Sequence, residues 1–281
     1  MTTDTPDAAP AAQKPTIVLI HGLWLTPLSW EGWKQRFESK GYTVLAPAWP
    51  GLEGEVEALN ADPTPLTTLT VGAIADHYER IVRDLDRPPM LIGHSFGGLF
   101  VQLLLQRGLG AAGVAIASAQ VKGVLRLPLS TIRATLPVLR NPANRHRAVP
   151  LTPEQFHYAF TNTMSAAESR AAYERYHVPA AGGVLFEGAL ANLRPGAATK
   201  VDFANPNRAP LLFLAGGADR IIPPAVNREN ARRYRRSSAL TAYREFPGRS
   251  HFTVGQPGWE EVADYALSWA LTPTVVGRVP S

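Results

Sequence analysis

The stretch from Met90 to Gly108, "MLIGHSFGGLFVQLLLQRG", leaves the chain few folds to choose from. An apolar strand pattern (90–93) runs straight into Gly93-His94-Ser95-Phe96-Gly97, and an almost wholly apolar helix pattern (96–108) follows. A strand, a sharp turn and a helix that is apolar nearly all round belong inside an α/β protein, where both faces of a parallel sheet are covered. The rest of the chain repeats the alternation. Residues 16–20, 42–46, 113–117, 211–216 and 239–246 read as further strands. Residues 71–86 and 258–271 carry apolar positions at helical spacing. The expected fold is α/β, with a mostly parallel central sheet of about six strands and helices on both faces.

Residues 121–205 interrupt this rhythm with helical segments and no convincing strand. Thr152, Pro153 and Gln155 form one helix-start signature, and Ser165 with Glu168 forms another. The expected organisation is a disordered tail over 1–15, a core made of 16–120 and 206–281, and a helical insertion over 121–205. A chain of 281 residues, 45% hydrophobic, suits one large domain with such an insertion.

There is no cysteine, which excludes disulfides, thiolate catalysis and cysteine-held metal centres. Neither a cofactor nor a metal is called for by any motif. The start, "MTTDTPDAAPAAQKP", lacks the basic and apolar regions of a secretory signal. No apolar run approaches the roughly 20 residues of a membrane span. A soluble, cytoplasmic protein without stable membrane insertion is expected. The net charge is +5, but no dense Lys/Arg block or binding motif points to nucleic acid. Lys122, Arg126, Arg133, Arg140, Arg145 and Arg147 fall in a stretch, 121–153, with no acid. Arg126, Arg133 and Arg140 share one face if the segment is helical, and Pro128 and Pro137 are expected to interrupt any single helix. Such a face is either simply solvated or attracts anionic substrates or a membrane surface.

Ser95 sits in a G-x-S-x-G frame between strand and helix, which would expose its hydroxyl above a helix N-terminus. A serine needs a base, and the chain holds seven histidines. His251, in "FPGRSHFT" directly after the last strand, lies at the same carboxyl edge as Ser95. His94 is expected to point away from the reacting face of Ser95. The orienting acid is expected at Asp219, just after the strand 211–216, because the rival Asp202 precedes that strand. Ser95, Asp219 and His251 then follow in the order serine, acid, histidine. The oxyanion donors are expected to be the amides of Leu23, in the loop after the first strand, and Phe96, first in the helix.

"IVLIHGLW", "GHSFGG", "GGADRIIP" and "GRSHF", in that order, resemble the α/β-hydrolase superfamily over about residues 16–120 and 206–271. The resemblance implies that Ser95, Asp219 and His251 are nucleophile, acid and base, and that 121–205 is a helical cap. A serine nucleophile sets the chain apart from the aspartate-using dehalogenase and epoxide hydrolase branches, and no HGGG loop is present. The reaction implied is hydrolysis of a carboxylic ester, lactone or thioester through an acyl-enzyme on a small apolar substrate. Perhydrolase (cofactor-free haloperoxidase) and hydroxynitrile lyase chemistry use the same site, and non-catalytic ligand receptors share the fold. Trp24, Ile221, Phe252, Phe156 and Phe160 are the expected pocket residues.

Overall fold

The structure, a computed structural model, describes residues 14–275. The expected tail over 1–15 lies outside the described residues except for Lys14 and Pro15, as do the last six residues of the expected core. The strands are β1 (Ile17–Ile20), β2 (Val44–Leu45), β3 (Met90–His94), β4 (Ala112–Ile116), β5 (Ala148–Val149), β6 (Ala180–Ala181), β7 (Leu211–Gly216) and β8 (Thr241–Phe246). The α-helices are α1 (Glu31–Ser39), α2 (Val56–Ala61), α3 (Val71–Arg83), α4 (Phe96–Gln106) and α5 (Leu129–Leu139). They continue with α6 (Pro153–Ala159), α7 (Ala166–Tyr176), α8 (Gly182–Ala189), α9 (Pro224–Arg233) and α10 (Trp259–Leu271).

Six strands form one parallel sheet in the order β2-β1-β3-β4-β7-β8, as the apolar runs predict. From β1 the chain steps outward to β2, then crosses back to β3 and proceeds the other way. With right-handed crossovers this reversal puts α1 on one face and α3, α4 and α9 on the other. The contacts agree. α1 packs on α10, where the Trp33 and Trp259 rings stack at 6.3 Å and Arg36 pairs with Asp264 at 2.6 Å. Across the other face the Tyr234 hydroxyl donates to Gln102 of α4 at 3.0 Å. Strands β1, β3, β4 and β7 are buried along their full length, so the sheet core is continuous aliphatic packing.

Residues 121–205 depart from expectation in two ways. They contain a two-stranded antiparallel pair, β5 with β6, where no strand is expected. Two residues a side are too few to leave a periodic pattern; tertiary pairing makes them strands. Pro137 does not stop α5 but lies inside it, while Pro128 stands at its N-cap. The missing N–H of Pro137 falls in the last turn of α5, so it costs one helical bond, the one to the Arg133 carbonyl, and the helix ends two residues later. Both predicted capping boxes form, at Thr152/Gln155 and Ser165/Glu168. The segment is fastened to the carboxyl edge of the large sheet. The Trp24 indole donates to the Val149 carbonyl at 3.1 Å, the Thr131 hydroxyl to the Ile221 carbonyl at 2.7 Å, and Arg175 forks onto Glu31.

The first turn of α4 lies directly on the end of β1. A Cβ on Gly97 would stand 1.9 Å from the Ile20 carbonyl oxygen, and one on Gly93 would stand 2.1 Å from the Gly97 carbonyl oxygen. Gly72, in α3, has open space around it. Gly97→Ala is therefore expected to cost about 3 kcal/mol or to prevent folding. Gly72→Ala is expected to add about 0.5–1 kcal/mol through helix propensity. Urea unfolding of the two variants against the parent measures both, and equal stabilities would contradict this packing.

Two buried histidines hold backbone in the neutral form. His21 donates through Nδ1 to the Gly22 carbonyl at 3.0 Å and accepts the Trp49 N–H on Nε2 at 3.3 Å, with the two rings stacked at 4.9 Å. His177 accepts the Leu151 N–H on Nε2 at 3.1 Å and stacks on Tyr173. Burial pushes both pKa values down to about 4. The unfolded chain takes protons on these rings below about pH 6.5, and the folded chain does not until the lower value is reached. Their contribution is full above that upper pH and declines as the pH falls toward the lower one. Stability is expected to drop by about 2 kcal/mol per histidine between about pH 7 and about pH 5. Urea titrations at the two pH values check this. His177→Gln, which keeps an acceptor, should flatten the difference by one histidine's share, and an unchanged slope would contradict it.

Candidate active site

Two strand ends meet at the place where the chain reverses direction through the sheet. The loop after β1 and the turn after β3 are neighbours there, at the carboxyl edge where open α/β sheets bind ligands. Three non-glycine residues among those described have positive φ: Trp24 (64°), Ser95 (56°) and Ala117 (44°). They follow β1, β3 and β4, so the strain of order 1–3 kcal/mol per residue is gathered at one edge. Ser95, with φ 56° and ψ −118°, is the hinge of the strand-to-helix turn. Its N–H donates to the Ile116 carbonyl at 2.9 Å, and its own carbonyl accepts from Ala119 at 2.9 Å. These bonds to the β4 edge fix a conformation that an isolated turn would not keep.

His251 and Asp219 come from the loops after β8 and β7, and those loops are sewn together. The Gly217 N–H donates to the Phe246 carbonyl and the Ala218 N–H to the Arg249 carbonyl, each at 2.8 Å. At Gly216 a side chain would be excluded, since a Cβ would lie 2.6 Å from the Arg249 carbonyl oxygen. The Gln256 side chain accepts from both the Ser250 N–H and its hydroxyl, and the Arg249 guanidinium donates to the carbonyls of 256–258. The Asp219 carboxylate is divided between two tasks. Oδ1 accepts the N–H groups of Ile221 and Ile222, both at 2.8 Å. Oδ2 lies 2.7 Å from His251 Nδ1, with both side chains wholly buried. An aspartate held on one oxygen by two amides presents the other in a fixed direction. His251 Nε2 is buried and has no partner among the described residues. Asp202, the rival acid, is exposed and accepts the Ala204 N–H in a turn.

His94 does not face Ser95. Its Nε2 bonds the His251 carbonyl at 2.8 Å, and its ring lies 4.8 Å from the His251 ring. Burial, and then the nearby His251, depress its pKa well below the usual range, so the ring is a neutral donor to that carbonyl. Neither the Leu23 nor the Phe96 N–H donates to a protein acceptor among the described residues. Gly22 brings the Leu23 loop against the serine: a Cβ there would be 2.7 Å from Ser95 Cβ.

A cavity of about 410 Å³ opens on Ser95. Trp24 and Ile221 line it, with Phe96 and a set of aliphatic side chains from α5 and α8. Phe156, Phe160 and Phe252 are not among the residues that line it. Phe156 and Phe160 stack face to face at 4.8 Å, fully buried, and the Phe160 ring edge packs on His251 at 5.0 Å. Phe252 packs on Tyr176. These rings form the wall behind the histidine. The lining that sequence reasoning missed includes Val121, Val124, Ile132, Leu136, Leu139 and Leu185. Their aliphatic spacing looks the same whether a helix covers a core or a cavity, so no sequence signal separates the two.

No curated protein matches the sequence significantly. Several solved structures share its architecture. A monoacylglycerol lipase from Paleococcus ferrophilus is 21% identical, with a TM-score of 0.62 over 92% of this chain and 95% of its own. A pyrethroid hydrolase from Sphingobium faniae is 20% identical, with a TM-score of 0.62 over 92% of this chain and 98% of its own. An extracellular α/β-hydrolase from a Paenibacillus species is 19% identical, with a TM-score of 0.65 over 91% of this chain and 98% of its own. The family model for the alpha/beta hydrolase family matches residues 17–265, nearly the whole described chain. By that match and its six-stranded parallel sheet, the chain belongs to the α/β hydrolase family.

Proposed function

We propose that the protein is a serine hydrolase that cleaves a carboxylic ester, lactone or thioester through an acyl-enzyme on Ser95. The observation that carries this reading is the buried 2.7 Å contact between His251 Nδ1 and the anchored Asp219 carboxylate. It leaves Nε2 as the nitrogen of His251 free to take a proton.

In this reading Ser95 Oγ attacks the substrate carbonyl carbon while His251 Nε2 takes its proton. Asp219 holds the imidazole with Nδ1 protonated and stabilises the imidazolium. The carbonyl oxygen becomes an oxyanion, to which the Leu23 and Phe96 amides donate hydrogen bonds, each worth roughly 3 kcal/mol of transition-state stabilisation. Collapse of the tetrahedral intermediate expels the alcohol, which leaves with the proton from Nε2. A water then repeats the sequence on the acyl-enzyme and frees the acid. His94, bonded to the His251 backbone, positions that residue without touching the reacting atoms. The segment 121–205 acts as the cap on a core of 16–120 and 206–281, because it supplies much of the cavity lining over Ser95. The aliphatic lining suits a small apolar ester. Two of the similar structures are named a lipase and a hydrolase, the same broad reaction class.

Ser95→Ala and His251→Ala are each expected to lower kcat/KM for p-nitrophenyl butyrate by about 10⁴-fold or more, and Asp219→Asn by about 10³–10⁴-fold. Initial-rate kinetics measure this, and full activity in Ser95→Ala would overturn the proposal. The cavity makes its own prediction. Ile132→Trp, which narrows it, should lower kcat/KM for p-nitrophenyl hexanoate about tenfold and change that for the acetate by less than about twofold. An equal loss on both esters would count against an acyl-binding cavity.

A further inference from the structure

Eight large apolar side chains are markedly exposed among the described residues; four of them line the Ser95 cavity and a fifth, Leu129, lies in the same stretch. Leu125, Leu127, Leu129, Ile132 and Leu136, between 38% and 84% exposed, fall within twelve consecutive residues. Leu193, 79% exposed, joins them because its neighbour Asn192 donates to the Val124 carbonyl and accepts the Gly123 N–H. Scattered exposed leucines are ordinary, but a contiguous set at a cavity mouth is not. Leu125, Leu127, Ile132 and Leu136 also line the cavity, so one aliphatic surface runs from the outside of the molecule to Ser95.

The charge around this patch is mostly basic. Lys122, Arg126, Arg133 and Arg140 lie in the acid-free stretch 121–153. The acids that face it from other elements are occupied or peripheral. Glu229 of α9 is mostly buried, accepts the Leu125 N–H and pairs with Arg233. Glu154 of α6 borders the separate hollow beside Arg133 and Arg140. Apolar side chains standing proud of a basic rim match the interface of an anionic bilayer, where leucines enter the headgroup boundary and cations meet phosphates.

We propose that this face adsorbs the protein to anionic lipid surfaces, with the cavity mouth turned to the membrane. The exposed set is entirely Leu and Ile, whereas protein-binding hot spots favour Trp, Tyr and Arg anchors. A protein seated here would also plug the cavity, whereas a lipid surface leaves apolar molecules able to enter it. No helix among the described residues is long and apolar enough to cross a membrane, so the contact is peripheral. Delivery of an ester from the membrane rests on the proposed function, but adsorption itself does not and is read without turnover.

The test is vesicle co-sedimentation of the full chain carrying Ser95→Ala. The two vesicles are pure phosphatidylcholine, and equal parts phosphatidylcholine and phosphatidylglycerol. Partition onto the anionic vesicles should be at least about tenfold greater and should fall with added salt. Leu129→Asp/Arg133→Glu, at exposed positions that do not line the cavity, should weaken it about tenfold or more. The same pair placed in the chain with Ser95 intact should keep p-nitrophenyl acetate hydrolysis, which shows that the fold survives. Adsorption in a protein that hydrolyses no ester would sink the function and leave this inference standing. No sedimentation, indifference to phosphatidylglycerol, or self-association that Leu129→Asp abolishes would overturn it.

Discussion

The close approach of α4 to the end of β1, at Gly97 and Ile20, is the constraint around which the candidate site is arranged. It brings two strand ends together at the point where the sheet order reverses. Once α4 starts there, Ser95 must take a positive φ, and its N–H and carbonyl turn sideways to the β4 edge. The same approach sets the Leu23 loop against the serine. A helix buried on nearly all sides holds this turn in place, because any relaxation would lift a large apolar surface off the sheet.

The other half of the site depends on a different device. Asp219 and His251 lie on loops that would be mobile alone, and backbone hydrogen bonds between the loops make them one unit. His94 joins that unit to β3 by its bond to the His251 carbonyl, and Phe160 closes it from the insert. The neutral buried histidines at 21 and 94 reinforce loops of the same edge, and His177 holds backbone of the insert at Leu151. This frame is therefore sensitive to acid in a way that aliphatic packing is not.

Much of the core was legible because its signals are local. Five of the six parallel strands appear as apolar runs and the edge strand β8 as a mixed one, and the turn around Ser95 carries its glycines at the positions where backbones touch. Asp219 and His251 could be singled out because each follows a strand, and topology puts every such loop at one edge. What sequence could not resolve are contacts made by the insert. The pair β5–β6 is two residues a side and exists by pairing alone. The phenylalanines at 156, 160 and 252 look like pocket residues by type but are wall residues by packing. The aliphatic residues of α5 that do line the cavity look like core. Side-chain type fixes affinity for an apolar environment, and only the third dimension says whether that environment is filled.

A strained serine, an anchored acid and a buried histidine do chemistry together only if the hydroxyl is activated. Labelling the native chain with a fluorophosphonate and weighing the intact protein tests that directly. One adduct per chain is predicted, located at Ser95, with a rate about 10³-fold lower in His251→Ala. Absence of an adduct, or an adduct that survives Ser95→Ala, would contradict a serine nucleophile at this edge.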